Sequence, residues 1–481
     1  MNSSVEIAEN IEQASVLQGA FKAQRAAYLA QPMPDYNQRK QDLLTLKRMI
    51  NENRDTIIAA ISEDYGNRSR HESLFAEIIT VTDGINGIIK KMKGWMKVQR
   101  RHVDQMMFPG GKNRVIPQPL GVVGLIIPWN FPINLSMTQI TAAFAAGNRV
   151  MVKMSENSIA LTRLLISIVP NYFPPEKLVF FEETGQVGIE FSTIPFDLLV
   201  FTGSGQTGRA VMAAAAKNLT PVVLELGGKA PAIVDPDYPL EKAVDRILFI
   251  KQFNAGQICT NVDYVFVHHS KIEEFVSASQ AWVKKHCPDI NSPDYTSIID
   301  GRSMLRLEGT LEDARSKGAR VINLHGEQGS DSATRKMPLH LILDTTADMN
   351  IRSRETFGPL LLVMGYDKPS EVIDYVNAND RPLAIYPFTN KRALQDEYIE
   401  RIMSGGVTVN DALFHVAQHD IPFGGVGPSG MGHYHGYEGF VTFSKLRPIY
   451  YQPAFSPMKF LRPPYGKFAT QFYDFLVKFK S

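Results

Sequence analysis

Between Gly121 and Gly228 the chain alternates short, almost wholly apolar runs with segments of helical periodicity. The apolar runs are residues 122–127, 148–153, 178–181, 198–201 and 221–226. A strand that is apolar at successive positions is buried on both faces, as in a parallel sheet covered by helices. Parallel neighbours need crossover connections, so the pattern predicts a doubly wound α/β sheet with ligands beyond the carboxyl ends of its strands. After Lys229 the pattern repeats at 231–234, 264–267, 360–364 and 406–409, which predicts a second α/β domain. A length of 481 residues, more than one hydrophobic core usually supports, likewise predicts two or three domains.

The flanks read differently. Residues 5–100 carry apolar positions at three- and four-residue spacing, such as Leu43, Leu44, Leu46, Met49 and Ile50, and form an amphipathic helical layer. Residues 114–118, with Pro117, read as an edge strand, and an edge invites pairing. Residues 440–443 are expected to be the strand that joins it, forming a small sheet through which a homodimer assembles. Past Pro448, Phe468, Phe472, Phe475, Leu476 and Phe479 form a stripe at helical spacing beside Lys467, Lys478 and Lys480. Two readings stay open there: a helix docked on the body or a partner subunit, or a peripheral membrane contact or substrate gate.

Charge and cysteine content exclude several classes. With 51 basic against 49 acidic side chains, the net charge of +2 argues against a nucleic-acid footprint. Two cysteines, neither in a CxxC pair nor a Cys/His cluster, give no disulfide framework and no metal site, and suit a reducing cytoplasm. His415, His419, His433 and His435 lack metal-ligand spacing and read as turn and packing residues. Met403 and Met431 read as core filler, and Cys287 as a surface bystander. The N-terminus lacks a signal-peptide pattern, and no apolar stretch reaches the ~18 residues of a membrane span.

Cys259 stands between a small polar run, 253–257, and an apolar strand, 264–267. A free cysteine is more often a small buried hydrophobe than a nucleophile, so this residue alone does not decide. Residues 203–208 satisfy GxGxxG between a strand and a helix, which suits a dinucleotide pyrophosphate over a helix N-terminus. The acid expected roughly 20 residues later to hold the ribose is matched by Glu225, but Glu156, ending the second strand beside Lys153, can serve instead. That alternative frees Glu225 for chemistry. Asn130, two residues before Pro132, reads equally well as a turn residue.

Taken in order, Pro128-Trp129-Asn130, 153–156, 201–204, Glu225-Leu226-Gly227-Gly228-Lys229, 257–259 and 355–359 resemble the aldehyde dehydrogenase superfamily over residues 5–445. The later motifs at 405–411, 434–436 and 440–444 are similar to its class 3 branch, and within that to the bacterial coniferyl aldehyde dehydrogenases. Thr356 departs from the family's usual aliphatic residue. The resemblance implies an NAD-dependent aldehyde oxidation, with NADP also admissible, and no metal. It assigns the nucleophile to Cys259, the deacylating base to Glu225 and an oxyanion donor to Asn130. Cofactor contacts fall to Trp129, Lys153, Glu156, Gly203, Ser204, Gly208, Leu226, Gly227, Glu355 and Phe357.

The implied organisation is a Rossmann-like NAD-binding domain (1–104 and 119–228), a catalytic domain (229–429), an oligomerisation element (105–118 and 430–447) and a C-terminal extension (448–481). A hydrophobic or aromatic aldehyde, with coniferyl aldehyde as one example, is the expected substrate. Phe414 and Tyr434 are expected near its entrance. A medium- or long-chain aliphatic aldehyde is the alternative, and a CoA-acylating reaction, which dispenses with Glu225 as base, is another.

Overall fold

The computed structural model describes residues 2–454 and 456–480. Met1 and Ser481, the outer ends of the expected first and last segments, lie outside the described residues. Three sheets organise the chain. The six-stranded sheet runs, in spatial order, Gly430–Met431, Val222–Leu226, Leu198–Gly203, Val122–Ile126, Arg149–Lys153 and Leu178–Phe181. Its five longer strands are parallel, and Gly430–Met431 adds antiparallel to one edge. From Val122–Ile126 the chain winds outward through two strands, then returns to pair Leu198–Gly203 on the other side. The order reverses between those two strands, and the crevice beyond their carboxyl ends opens at Pro128–Asn130 and Gly203–Ser204.

The second sheet has seven strands: Arg320–Asn323, His340–Leu343, Leu360–Tyr366, Val262–His268, Ala230–Val234, Ala384–Phe388 and Gly406–Val407. Only Arg320–Asn323 runs antiparallel. Ala384–Phe388 escapes a sequence reading because Pro387 ordinarily demotes a strand from the interior of a sheet. Here the outer strand pairs only with Ala384 and Ile385, and Pro387 contributes its carbonyl alone, to the Asn410 N–H.

The third sheet corrects two expectations. Lys112–Pro119 is its middle strand, not an edge, with Gln99–Arg101 on one side and Ser444–Tyr451 on the other. Gln99–Arg101 spans only residues 113–115 of it, so the missing N–H groups of Pro117 and Pro119 disrupt no ladder there. The expected strand at 440–443 is instead the end of the helix Gly436–Thr442, and the strand begins at Ser444. A four-residue apolar run fits either period. Phe440 and Phe443, three apart, share one buried helical face, with Phe440 against Trp95. Met403 and Met431, expected in the core, are exposed, and Cys287 is half-buried.

The N-terminal helices cover the first sheet, with Leu43, Leu46, Met49 and Ile50 buried and Leu44 outward. The helix Pro132–Ala146 follows directly on Asn130 and is buried along nearly its whole length. Arg39, itself buried, closes its far end by donating to the carbonyls of Ala145 (3.1 Å) and Ala146 (2.8 Å), and to Pro34 (2.9 Å). Burial lowers its pKa to about 10, still charged at neutrality. Arg39→Met strips three buried carbonyls of a charged donor, so urea denaturation followed by circular dichroism is expected to show a loss of about 3 kcal/mol.

Candidate active site

One cavity of about 920 Å³ collects residues from both large sheets: Trp129, Asn130, Glu225 and Gly227 from the first, Cys259, Glu355 and Phe357 from connections of the second. Cys259 follows a short turn, Phe253–Gly256, in which Asn254, Ala255 and Gly256 take φ values of 52°, 50° and 73°. Side chains disfavour this left-handed region, so the turn persists only where its surroundings hold it. Gly256 is required twice over, by its φ and because a Cβ there would fall 2.4 Å from the Gly358 carbonyl.

Asn254 carries most of the restraint. Its N–H donates to Glu72 (3.0 Å), and its side-chain amide to the Tyr65 hydroxyl (3.2 Å) and to the carbonyls of Asn130 (3.2 Å) and Gln257 (3.1 Å). Tyr65 in turn donates to the Asn130 carbonyl (3.2 Å). Gln257 fixes the other end, donating to the carbonyls of Asn254 (3.0 Å) and Ser297 (3.1 Å). The Asn130 side-chain amide is buried and aimed at the Gln257 carbonyl at 3.3 Å, two residues before the thiol. An amide donor and a thiol are thus brought together from positions far apart in the chain.

Cys259 is half-buried at the cavity. Burial pushes its thiol up to about 12, with the charges of Glu225 and then Glu355 adding to the effect. Glu225, in the strand Val222–Leu226, is only 3% exposed, and neither carboxyl oxygen has a hydrogen-bond partner. Burial raises its pKa well above the usual carboxylate range. The Gly425 N–H offsets part of this without the geometry of a full hydrogen bond. A buried, unsatisfied carboxyl is costly in a purely structural role and marks a site of chemistry.

Glu355 lies against the Gly227 backbone: a Cβ on Gly227 would meet its Oε2 at 2.1 Å. Burial, followed by the nearby Asp263, pushes Glu355 up to about 8. The departure at Thr356 has a clear counterpart. Its buried hydroxyl donates to Asp263 at 2.7 Å and its N–H to the same oxygen at 2.8 Å, while Arg306 holds the Thr356 carbonyl at 2.7 Å. Burial alone would raise Asp263, but Lys229 and Lys251 outweigh it and hold it low. Phe357, at φ 44°, packs edge-on against Trp129 with ring centroids 5.5 Å apart.

The expected cofactor residues divide. Gly203, Ser204, Leu226, Gly227, Glu355, Phe357 and Trp129 line the cavity; Lys153, Glu156 and Gly208 do not. Ser204 caps the helix Gly205–Ala216, accepting the Thr207 N–H at 3.2 Å. The first-turn N–H groups beside it face the crevice without helical partners, a fit for an anionic pyrophosphate. Lys153 is not paired with Glu156, which is exposed, but with Glu183 at 2.6 Å. Glu183 also accepts the N–H groups of Gly185 and Gly188, both at 2.9 Å. Tyr434 lines the cavity together with Phe423, which sequence reasoning missed, whereas Phe414 is half-buried against the core of the second sheet. Tyr65, Glu72, Asp263 and Arg306 also escaped it, since their partners lie far away in the chain. The Pro-Phe-Gly-Gly stretch around Phe423 was the one available signal.

The aldehyde dehydrogenase family model matches residues 6–449. A probable coniferyl aldehyde dehydrogenase of Pseudomonas aeruginosa is 48% identical over 452 residues, 94% of each chain. A coniferyl aldehyde dehydrogenase of Pseudomonas sp. is 40% identical over 458 residues, 94% of this chain and 95% of that one. Among solved structures, Staphylococcus aureus AldH in a substrate-bound state superposes with a TM-score of 0.88 at 31% identity, covering 95% of this chain and 99% of that one.

A thiol raised to about 12 is almost wholly protonated at neutral pH. In the enzyme without cofactor, alkylation of Cys259 by iodoacetamide is therefore expected to keep accelerating with pH through at least ~9.5, well past the ordinary thiol value. Peptide mass spectrometry across pH checks this, and a plateau near pH 8 contradicts it.

Proposed function

Because the chain belongs to the aldehyde dehydrogenase family, we propose that this cavity oxidises an aromatic aldehyde of the coniferyl type to its carboxylic acid through a covalent intermediate on Cys259. The observation that carries the reading is the meeting, in one cavity, of a thiol and a buried carboxyl with two unpartnered oxygens. The enzyme is an oxidoreductase dependent on a nicotinamide dinucleotide. When bound, that cofactor supplies the hydride acceptor.

The residues then take the following roles. Cys259 releases its proton to water, and the thiolate so formed adds to the aldehyde carbon, giving a hemithioacetal whose oxyanion accepts hydrogen bonds from the Asn130 side-chain amide and the Cys259 N–H. Loss of hydride leaves a thioester on the sulfur. Glu225, once ionised, takes a proton from water as general base, and the hydroxide releases the acid. Desolvation makes its carboxylate a stronger base than an exposed one.

For the cofactor, Gly203 and Ser204 form the pyrophosphate end, with Gly208 behind them letting the helix approach Leu226, and Leu226 and Gly227 the adjoining wall. Glu355 meets the nicotinamide ribose, with Phe357 and Trp129 beside the ring. Lys153, oriented by Glu183, and Glu156 take the adenine ribose, which favours NAD. NADP is also accepted, because Glu156 is exposed and can turn from a 2′-phosphate. Aromatic rings in the lining, among them those of Trp129, Phe357, Phe423 and Tyr434, support an aromatic substrate.

Residues 1–104 with 119–228 and residues 229–429 are read as the cofactor-binding and catalytic domains, with 448–481 as an extension. A homodimer is proposed through the sheet that contains Ser444–Tyr451, an exposed edge strand. Two free thiols suit the cytoplasm.

Cys259→Ala is expected to abolish oxidation while dinucleotide binding, measured by calorimetry, is retained. Glu225→Gln is expected to give a burst of about one reduced cofactor per site and then slow at least ~100-fold, with the acyl-enzyme visible by intact-mass spectrometry. With Glu225 as the base, its raised pKa displaces the rise of steady-state turnover with pH upward from the range of an exposed carboxylate. Steady-state rates on coniferyl aldehyde against medium- and long-chain alkanals, with NAD and NADP, test the substrate. Faster alkanal turnover overturns the aromatic assignment.

A further inference from the structure

The C-terminal helix Lys467–Lys480 lies beyond the span of the family model, and its most apolar side faces solvent. Phe468, Phe472, Phe475 and Phe479 recur at intervals of four, three and four, which places them on one stripe. Phe468 and Phe479 are each 62% exposed and Phe475 is 51% exposed. The rings stack in two pairs, Phe468 on Phe472 and Phe475 on Phe479, with centroids 6.2 and 5.8 Å apart. The stripe is not the docking face. Ala469 and Leu476 are the buried positions, Tyr473 donates to the Leu461 carbonyl at 3.4 Å, and Lys480 pairs with Asp104. Those contacts fix the helix's rotation and leave Phe468, Phe475 and Phe479 exposed, with Phe472 partly so.

Charge decides what meets this stripe. Residues 452–481 carry five basic side chains and one acidic one, against a net charge of only +2 for the whole chain. Lys467 and Lys478 sit one above the other at the rim of the stripe, and both are exposed. Protein–protein interfaces are depleted in lysine, whose ammonium must be stripped of water on burial. A layer of anionic headgroups has the opposite property: it solvates the ammonium groups while phenylalanine rings enter the acyl boundary. No helix among the described residues is long and apolar enough to cross a membrane, and this one spans about 21 Å against the ~30 Å of a bilayer core. We propose that the Phe468–Phe479 stripe with its lysine rim is an interfacial anchor that seats the enzyme on anionic lipid surfaces.

The test is co-sedimentation of the full-length enzyme with vesicles of phosphatidylcholine alone or containing 30% phosphatidylglycerol. Wild type is expected to pellet with the anionic vesicles, to bind the neutral ones at least ~10-fold more weakly, and to be released by salt. Phe475→Ser with Phe479→Ser should weaken anionic binding by at least ~10-fold, and Lys467→Glu with Lys478→Glu similarly. Oxidation of a soluble aldehyde should be unchanged in both, which also reports that they fold. The proposal fails if wild type does not pellet with anionic vesicles, or if both variants pellet as well as wild type. It fails equally if the serine variant splits the oligomer in size-exclusion chromatography with light scattering, because the stripe is then covered by a second copy.

Discussion

The side-chain amide of Asn254 ties two loops that sequence keeps 124 residues apart: one carries the thiol, the other carries Asn130. Without that bridge, the three successive left-handed residues before Gln257 have no reason to stay where they are. The strain is tolerable because the turn is overdetermined. Glu72 holds the Asn254 N–H, Tyr65 closes the triangle to the Asn130 carbonyl, and Gln257 pins the exit to Ser297. Behind them the helix Pro132–Ala146 is capped by Arg39, so Asn130 sits at the start of a rigid element clamped at its far end. The Asn130 amide and the Cys259 thiol are positioned by hydrogen bonds between elements, which suits a site that must hold geometry at sub-ångström tolerance.

The electrostatics follow from the same burial. Cys259, Glu225 and Glu355 are all pushed toward their neutral forms by desolvation, and each negative charge added nearby makes the next harder to form. Desolvation thus favours the protonated form of each group in the resting cavity. Around it runs a compensating set of cations: Lys229 and Lys251 hold Asp263 ionised, and Asp263 with Arg306 fixes the backbone that presents Glu355 and Phe357. The threonine in place of an aliphatic residue at position 356 belongs to this set. It exchanges apolar packing for a hydroxyl donated to a buried carboxylate, and the loop is held either way.

Much of this was legible in the chain itself. The all-apolar runs at 122–127 and 198–201 give parallel strands, and the glycine-rich turn after the second gives the helix N-terminus at Ser204. Cys259, Glu225, Asn130, Glu355 and Phe357 were named from motif order, and all five line one cavity. The failures have physical reasons. Residues 440–443 were too few to separate a helical from a strand period, and Pro387 disguised an interior strand because its missing N–H falls past the residues the outer strand pairs with. Lys153 and Glu156, three apart at one strand end, were grouped by sequence, yet Lys153 pairs with Glu183 just past the neighbouring strand Leu178–Phe181.

What the sequence determined by itself is local and chemical: the strand and helix periods, the turn glycines, and the motif order in which Asn130, Glu225 and Cys259 stand. Those follow from side-chain type and spacing, which folding does not alter. The tertiary structure alone decided which of these groups meet, which carboxyls lose their water, and which face of the last helix stays outward. Each depends on contacts between residues tens to hundreds of positions apart, and on the desolvation those contacts impose. Neither quantity is carried by any single stretch of chain.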